Sequence, residues 1–485
     1  MSQLHLDRLR ATDASFLLQE GPTTHAHVGG VATFGGPPPA IDEIREQIRG
    51  RLDLVPRYRQ RLAYTALDRA RPVWVDDTRF DLEYHVRHTA LPAPGDREVL
   101  QSEVARVYSE PLDRSRPLWE TWLVEGLEDD GFALIFKTHH ALIDGTAAVD
   151  LLKILFDPTP DATPSAGPLV PWQPQPTPDT LGLLAFGARG AASAAVELAA
   201  GTLHAARDPQ GTVRRLLDVA EGFTGLAREF LRTPPKTPLT SEVGRHRRFV
   251  AVPCRLDDVK LVKNTLGGTI NDVVLSVVTG AVREFLLGRG VPTDGLELSA
   301  LVPVSVRAEH ERNRMGNRIA VLRGSLPVHV ADPLARLRVV THAMDELKGS
   351  KQAPATEFVL DAQDFLPPVM LPITSRVQVS PRMFNVIVTN FAGPQVPLYV
   401  LGREMRELTP IALLQPAHTL AIAIMSYNGQ LNFGVLGDYD AMPDLHVVSD
   451  AIAAGMAELV ALCGDHEGAT PIAAPAARDA RRASA

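Results

Sequence analysis

Two cysteines, Cys254 and Cys463, are the only thiols in this 485-residue chain, and they lie far apart in sequence. That excludes a disulfide framework and any cysteine-built zinc or iron–sulfur site, and it fits a reducing cytoplasm. Neither has the neighbours of a nucleophile, so each reads as a small buried hydrophobe. A basic excess is missing too. Lys and Arg number 49 against 57 Asp and Glu, a net charge of -8, and no basic stripe marks a nucleic-acid partner. Met1 to Arg10 lacks the apolar core of a secretory signal. No apolar run reads as a transmembrane helix, since the longest candidate, Leu181 to Ala206, is broken by Arg189 and Glu197. Nor is there a Gly-x-Gly-x-x-Gly after a strand, a P-loop lysine or a His-Glu-x-x-His. What remains is a soluble or peripherally attached protein.

Hydrophobic residues make up 45% and charged residues 22%, an ordinary balance for a folded chain. The length exceeds what one core usually covers, so two halves are expected. The pattern places strands at Val28–Phe34, Thr121–Val124, Phe132–Thr138, Arg248–Leu256, Leu298–Val306 and Phe384–Asn390, with another at Tyr64–Val75. Helical periodicity marks Ile41–Leu54, Val99–Ser109, Asp257–Thr265, Val273–Leu287, Pro333–Lys348 and Leu445–Cys463. Asp332 is a natural N-cap, with Pro333 at the first helical position. Asn428-Gly429 joins two strands and is the strongest hairpin signal in the chain. Between the halves, Pro158 to Pro178 holds eight prolines, followed by alanine-rich helical sequence to Leu231. The divisions read as residues 1–157, a crossing segment 158–240, a second half 241–466, and a disordered tail 467–485. Strands and helices mix without strict alternation, so the class is α/β with mixed sheets.

The stretch that carries chemistry is Phe132 to Gly145. A buried strand runs into His139 and His140, and Asp144-Gly145 follows three residues later. Histidine is a base near neutral pH, so the pair with a nearby carboxylate is a general-base candidate. Paired histidines can also cap a strand, and Asp-Gly is a common turn. Adjacent residues at a strand end face opposite ways, so one histidine should enter a cleft and its neighbour the fold, which also argues against both ligating one metal ion. No metal site is expected. Asn271-Asp272 at a helix start reads either as a cap or as an oxyanion-stabilising helix terminus.

His139-His-Ala-Leu-Ile-Asp-Gly145 resembles the His-His-x-x-x-Asp-Gly signature of coenzyme A-dependent acyltransferases, the superfamily of chloramphenicol acetyltransferase and of peptide-synthetase condensation domains. Other segments resemble the bacterial wax ester synthase/diacylglycerol acyltransferase family in that family's order: Leu6 to Gly30, Phe80 to Arg87, Pro117-Leu118-Trp119-Glu120, Gly267-Gly268 with Asn271-Asp272, Pro303 to Arg307 with Gly316-Asn317, Asn385 to Pro394, and Ser426 to Gly429 with Gly434 and Asp438. Thr389, Phe391 and Ala392 depart from the family's Ser and Val-Pro, which leaves that loop's shape open.

The resemblance implies two chloramphenicol-acetyltransferase-like subdomains with the active-site tunnel between them. It implies transfer of a fatty acyl chain from acyl-CoA to diacylglycerol or a long-chain alcohol, without an acyl-enzyme. His140 would be the base, His139 a support, and Asp144 a structural brace with Arg307 as its candidate partner. Asn271 would help hold the oxyanion, and Asp272 would brace the helix. Gly145, Pro117, Leu118, Trp119, Glu120, Asn317 and Asn390 complete the motif residues. Acyl-CoA is a co-substrate, and no cofactor is expected. The insoluble products imply docking from the cytoplasm onto the membrane's inner face or a lipid droplet, with helices between Leu181 and Leu231 as candidates. Two other readings are an acyltransferase for a polyketide or glycolipid acceptor and a non-catalytic lipid-surface protein. Oligomeric state, chain-length preference and the CoA-binding residues stay open.

Overall fold

The computed structural model describes residues 7–64, 71–142, 152, 155–161, 172–179, 182, 234–305, 319–349, 371–372, 375 and 383–465. The helices expected between Leu181 and Leu231, apart from residue 182, the expected tail, and residues 143–150 lie outside them. In the first half the elements are β1 (Asp7–Arg8), α1 (Ala11–Gln19), β2 (His27–Phe34), α2 (Ile41–Arg49), β3 (Gln60–Ala63), β4 (Val73–Asp76), α3 (Leu82–His85), β5 (Val86–Ala90), α4 (Arg97–Ser109), β6 (Trp119–Glu125) and β7 (Phe132–His139). The second half has β8 (Arg247–Arg255), α5 (Leu256–Leu266), α6 (Ile270–Gly288), β9 (Leu298–Ser305), β10 (Ile319–Leu326), α7 (Pro333–Gly349), β11 (Val386–Ala392), β12 (Tyr399–Val400), β13 (Arg403–Ile411), β14 (Leu420–Tyr427), β15 (Gln430–Asp438) and α8 (Leu445–Asp465).

Most expected elements appear within a residue or two of their boundaries. Asn428 and Gly429 both have positive φ, as a two-residue hairpin requires, and join β14 to β15. Of the strand expected over Tyr64–Val75, Val73–Val75 is strand, within β4, which pairs antiparallel with β3 just before the span, while residues 65–70 lie outside the described residues. Ile41–Leu54 is helical only to Arg49 before a short 3-10 turn at Leu52–Leu54.

Two six-stranded mixed sheets organise the chain. One has the order β12-β13-β2-β7-β6-β5 and the other β10-β9-β11-β14-β15-β8. The first sheet is not built from the first half alone, because β13 leaves the second half and pairs antiparallel with β2, Ile411 opposite Gly29. The fit is tight. A Cβ on Gly30 would meet the Thr409 carbonyl at 2.7 Å, and one on Gly434 would meet that of Pro410 at 1.8 Å, so both positions require glycine. A shared apolar cluster then fuses the sheets, with Val31, Val104 and Ile135 packing in the same layer as Phe249, Ile387 and Leu436.

The second half has the larger helical layer. On α6, Val274, Val277, Val278, Ala281, Val282 and Phe285 are buried, and α8 lies against it. Contrary to the sequence reading, Leu445–Gly464 is long and apolar enough to cross a membrane. Its Val448, Ile452, Met456, Leu459 and Cys463, however, recur at helical spacing within the core of this half. That is the stripe of a core helix.

Candidate active site

The histidine pair stands where β7 ends. β7 is buried along its whole length, and it is held by β2 on one side, with His27 opposite His139, and by β6 on the other. Pro117 to Glu120 starts β6 and secures this end of β7. The Leu118 carbonyl accepts the His139 N–H at 3.0 Å, and the Trp119 indole donates to the Tyr58 carbonyl at 2.8 Å. His85 stacks on Trp119 at 4.7 Å between ring centroids. Glu120 lies 3.3 Å from both the Lys137 ammonium and the Arg87 guanidinium. Lys137 is 1% exposed and also donates to the carbonyls of Val107 and Glu110. Burial pulls its pKa down, and Glu120 partly restores it. A charge this deep is tolerable only with such complete pairing.

The two histidines face different surroundings, as the strand-end geometry requires. His139 is 1% exposed. Its Nδ1 accepts the Ala141 N–H at 3.0 Å, so the proton of the neutral ring belongs on Nε2. Nε2 lies 3.1 Å from Glu20 Oε1, off the ideal hydrogen-bond line. His140 is half-buried, with its ring stacked on Phe16 at 3.8 Å and 16° between planes. Desolvation pushes the His140 pKa down to about 4, a contact with its own main chain opposes the shift, and His139 adds to it. At neutral pH the ring is therefore uncharged, with a lone pair free to accept a proton.

Sequence reasoning missed Glu20 and Phe16, both supplied by α1 and its C-terminal end. Glu20 Oε1 accepts the Ala26 N–H at 2.8 Å, and Oε2 takes the Arg114 guanidinium, with Nε at 3.0 Å. Burial alone would raise the Glu20 pKa, but His139 and Arg114 override it and hold the carboxyl at about 2. His27 is fully buried beside His139 at 6.3 Å between rings, and His25 stacks on His27 at 5.2 Å; burial lowers the pKa of both. The second half reaches this corner through Arg247, which donates to the Thr23 carbonyl at 2.5 Å, and through Gln415, which donates to Gln19 at 3.2 Å.

Asn271 and Asp272 occupy the first turn of α6, but neither is the cap. Thr269 accepts the Asp272 N–H at 3.3 Å while the Asp272 carboxylate accepts the Thr269 N–H at 2.8 Å, a reciprocal capping box. The Asn271 side chain pairs with Asn390 at the far end of β11, 3.4 Å away. Among the described residues no hydrogen bond links this pair to the histidines. Asp144, Gly145, Arg307 and Asn317 lie outside the described residues. No group of His, Cys, Asp and Glu among the described residues could hold a metal ion.

Comparison with known proteins places the chain in a family. Residues 9–274 match the wax ester synthase/diacylglycerol acyltransferase catalytic domain, and residues 315–460 match the C-terminal domain of the same proteins. A Mycobacterium tuberculosis protein named as a diacylglycerol O-acyltransferase is 34% identical, over 95% of this chain and 91% of its own. A second from the same organism is 31% identical over 94% and 96%. The solved wax ester synthase/diacylglycerol acyltransferase of Marinobacter aquaeolei VT8 superposes with a TM-score of 0.66 at 28% identity, covering 94% of this chain and all of that one. The starter condensation domain of rhizomide synthetase shares the fold at a TM-score of 0.56 and 13% identity, covering 94% of each chain.

Proposed function

Because this chain belongs to the wax ester synthase/diacylglycerol acyltransferase family, we propose that it transfers a fatty acyl chain from acyl-CoA to the hydroxyl of diacylglycerol or a long-chain alcohol. The observation that carries the mechanism is His140, a half-buried, uncharged imidazole beside His139, whose Nδ1 accepts from Ala141 and whose Nε2 faces Glu20. His140 takes the proton of the acceptor hydroxyl as its oxygen attacks the thioester carbonyl. The C–O bond forms, and the carbonyl electrons move onto oxygen. Collapse breaks the C–S bond, and the departing thiolate recovers the proton from His140, so the enzyme returns unchanged. No cofactor is needed besides acyl-CoA as co-substrate. The N-terminus of α6, with Asn271, offers partial positive charge to the oxyanion.

The assay is transfer from labelled palmitoyl-CoA to diacylglycerol and to hexadecanol, beside a His140→Ala control. Unchanged turnover in that variant would remove the histidine mechanism, and inertness of the parent toward every acceptor would remove the function. The products dissolve only in lipid, so the proposal extends to a cytoplasmic enzyme docked on a membrane or lipid droplet. Flotation with anionic liposomes tests it; protein left wholly in the dense fraction refutes docking.

A further inference from the structure

One carboxylate oxygen reaches the peptides on both sides of His140. Glu20 Oε1 faces His139 Nε2 at 3.1 Å, and His139 Nδ1 accepts from the N–H of Ala141 at 3.0 Å, a bond that straddles His140. The same oxygen accepts from Ala26 N–H at 2.8 Å, and the Ala26 carbonyl accepts from His140 N–H at 2.7 Å. Arg114 holds the other oxygen and also donates to the Leu17 carbonyl at 2.8 Å, which ties the carboxylate to the end of α1. From the same helix, Phe16 lies flat against the His140 ring.

We infer that Glu20 is a positioning residue, which fixes the aim of His140 through the tautomer of His139 and through the main chain of Ala26, without touching the reacting atoms. The chemistry requires this direction of control. An anionic carboxylate accepts only, so the imidazole facing it must carry its proton on Nε2, and Nδ1 is thereby left as the acceptor that Ala141 needs. With the proton on Nδ1, two donors would meet at Ala141, and the turn holding His140 would open. The inference rests on His140 being the base.

Glu20→Ala and the isosteric Glu20→Gln, compared with the parent in the acyl-transfer assay, test it. Glu20→Ala should lower kcat by about 100-fold with the KM for acyl-CoA within about twofold, because a displacement on the order of 1 Å has that cost. Glu20→Gln retains an oxygen for Ala26 and His139 but not the full negative charge, and its kcat should fall several-fold, to at most about tenfold. Long-range proton–nitrogen NMR on histidine-labelled protein should show His139 protonated at Nε2 in the parent and mixed in Glu20→Ala. Parent-like kcat in both variants overturns the inference, as does a kcat loss with His139 still wholly protonated at Nε2. Should Glu20→Ala fail to fold, Glu20→Gln decides: a several-fold kcat loss with KM unchanged supports the role, and parent-like kcat refutes it. His140→Ala is run in parallel. If it keeps full turnover, the histidine mechanism itself fails; if it alone is inactive, only the role of Glu20 falls.

Discussion

The sheet around β7 and the sheet around β14 have the same number of strands, and both bury polar groups, Asn432 and Asp438 in the second among them, but the first gathers an ion pair and several imidazoles around one strand end. Beneath the first lie Lys137, Glu120, His27, His85 and His139, all nearly inaccessible. The inner strand of the second presents Ile422, Ile424 and, on its neighbour, Phe433 and Val435, with α6 and α8 packed over them. An apolar core is cheaper to build, because a buried polar group must find every partner it needs. The first half accepts that cost around one strand end, where a ring must be aimed. The second half supplies the rigid backing and two strands of the first sheet, β12 and β13.

The contrast can be broken experimentally. The largest effect should come from His140→Ala, with kcat/KM falling by about 10²–10⁴-fold, the usual contribution of a general base, and with an unchanged melting curve. In the parent, kcat/KM should hold at pH 5.5 and fall only as pH drops through about 4, where His140 gains its proton. A base with an unperturbed pKa would already have lost about nine-tenths of its activity at pH 5.5. Lys137→Met should destabilise the fold by about 3–5 kcal/mol in denaturant titration, because Glu120 would stay buried without the more deeply buried of its two cations. Ile452→Val in the helical layer should cost only about 0.5–1.5 kcal/mol and leave kcat alone. A kcat loss there would abolish the division of labour between the halves.

Much of the fold was legible where local chemistry suffices. Asn428-Gly429 specifies its hairpin, Asp332 accepts the Ala335 N–H at 2.6 Å as a cap should, and the amphipathic stretches formed helices. β13 was not legible. Arg403, Glu404, Arg406 and Glu407 give it a charged reading, and the irregularity between Met405 and Glu407 shifts the alternation by one, so the period of two never shows. The site divided the same way. His139 and His140 announce themselves by being adjacent, whereas Glu20 and Phe16 acquire meaning only when α1 folds over the end of β7. Nothing local in Gln19-Glu20-Gly21 marks a partner so distant in the chain.

The position of β13 bears on how the protein is made. β2 borders β7 on one edge and waits on the other for residues 403–411, which leave the ribosome after most of the chain. Until then that edge is unpaired, open to another nascent chain, and its closure spans a very long contact. A product truncated before Arg403 carries both histidines but has an unfinished sheet beneath them. Competence therefore comes late in synthesis, and prematurely terminated chains should be inactive and prone to aggregate.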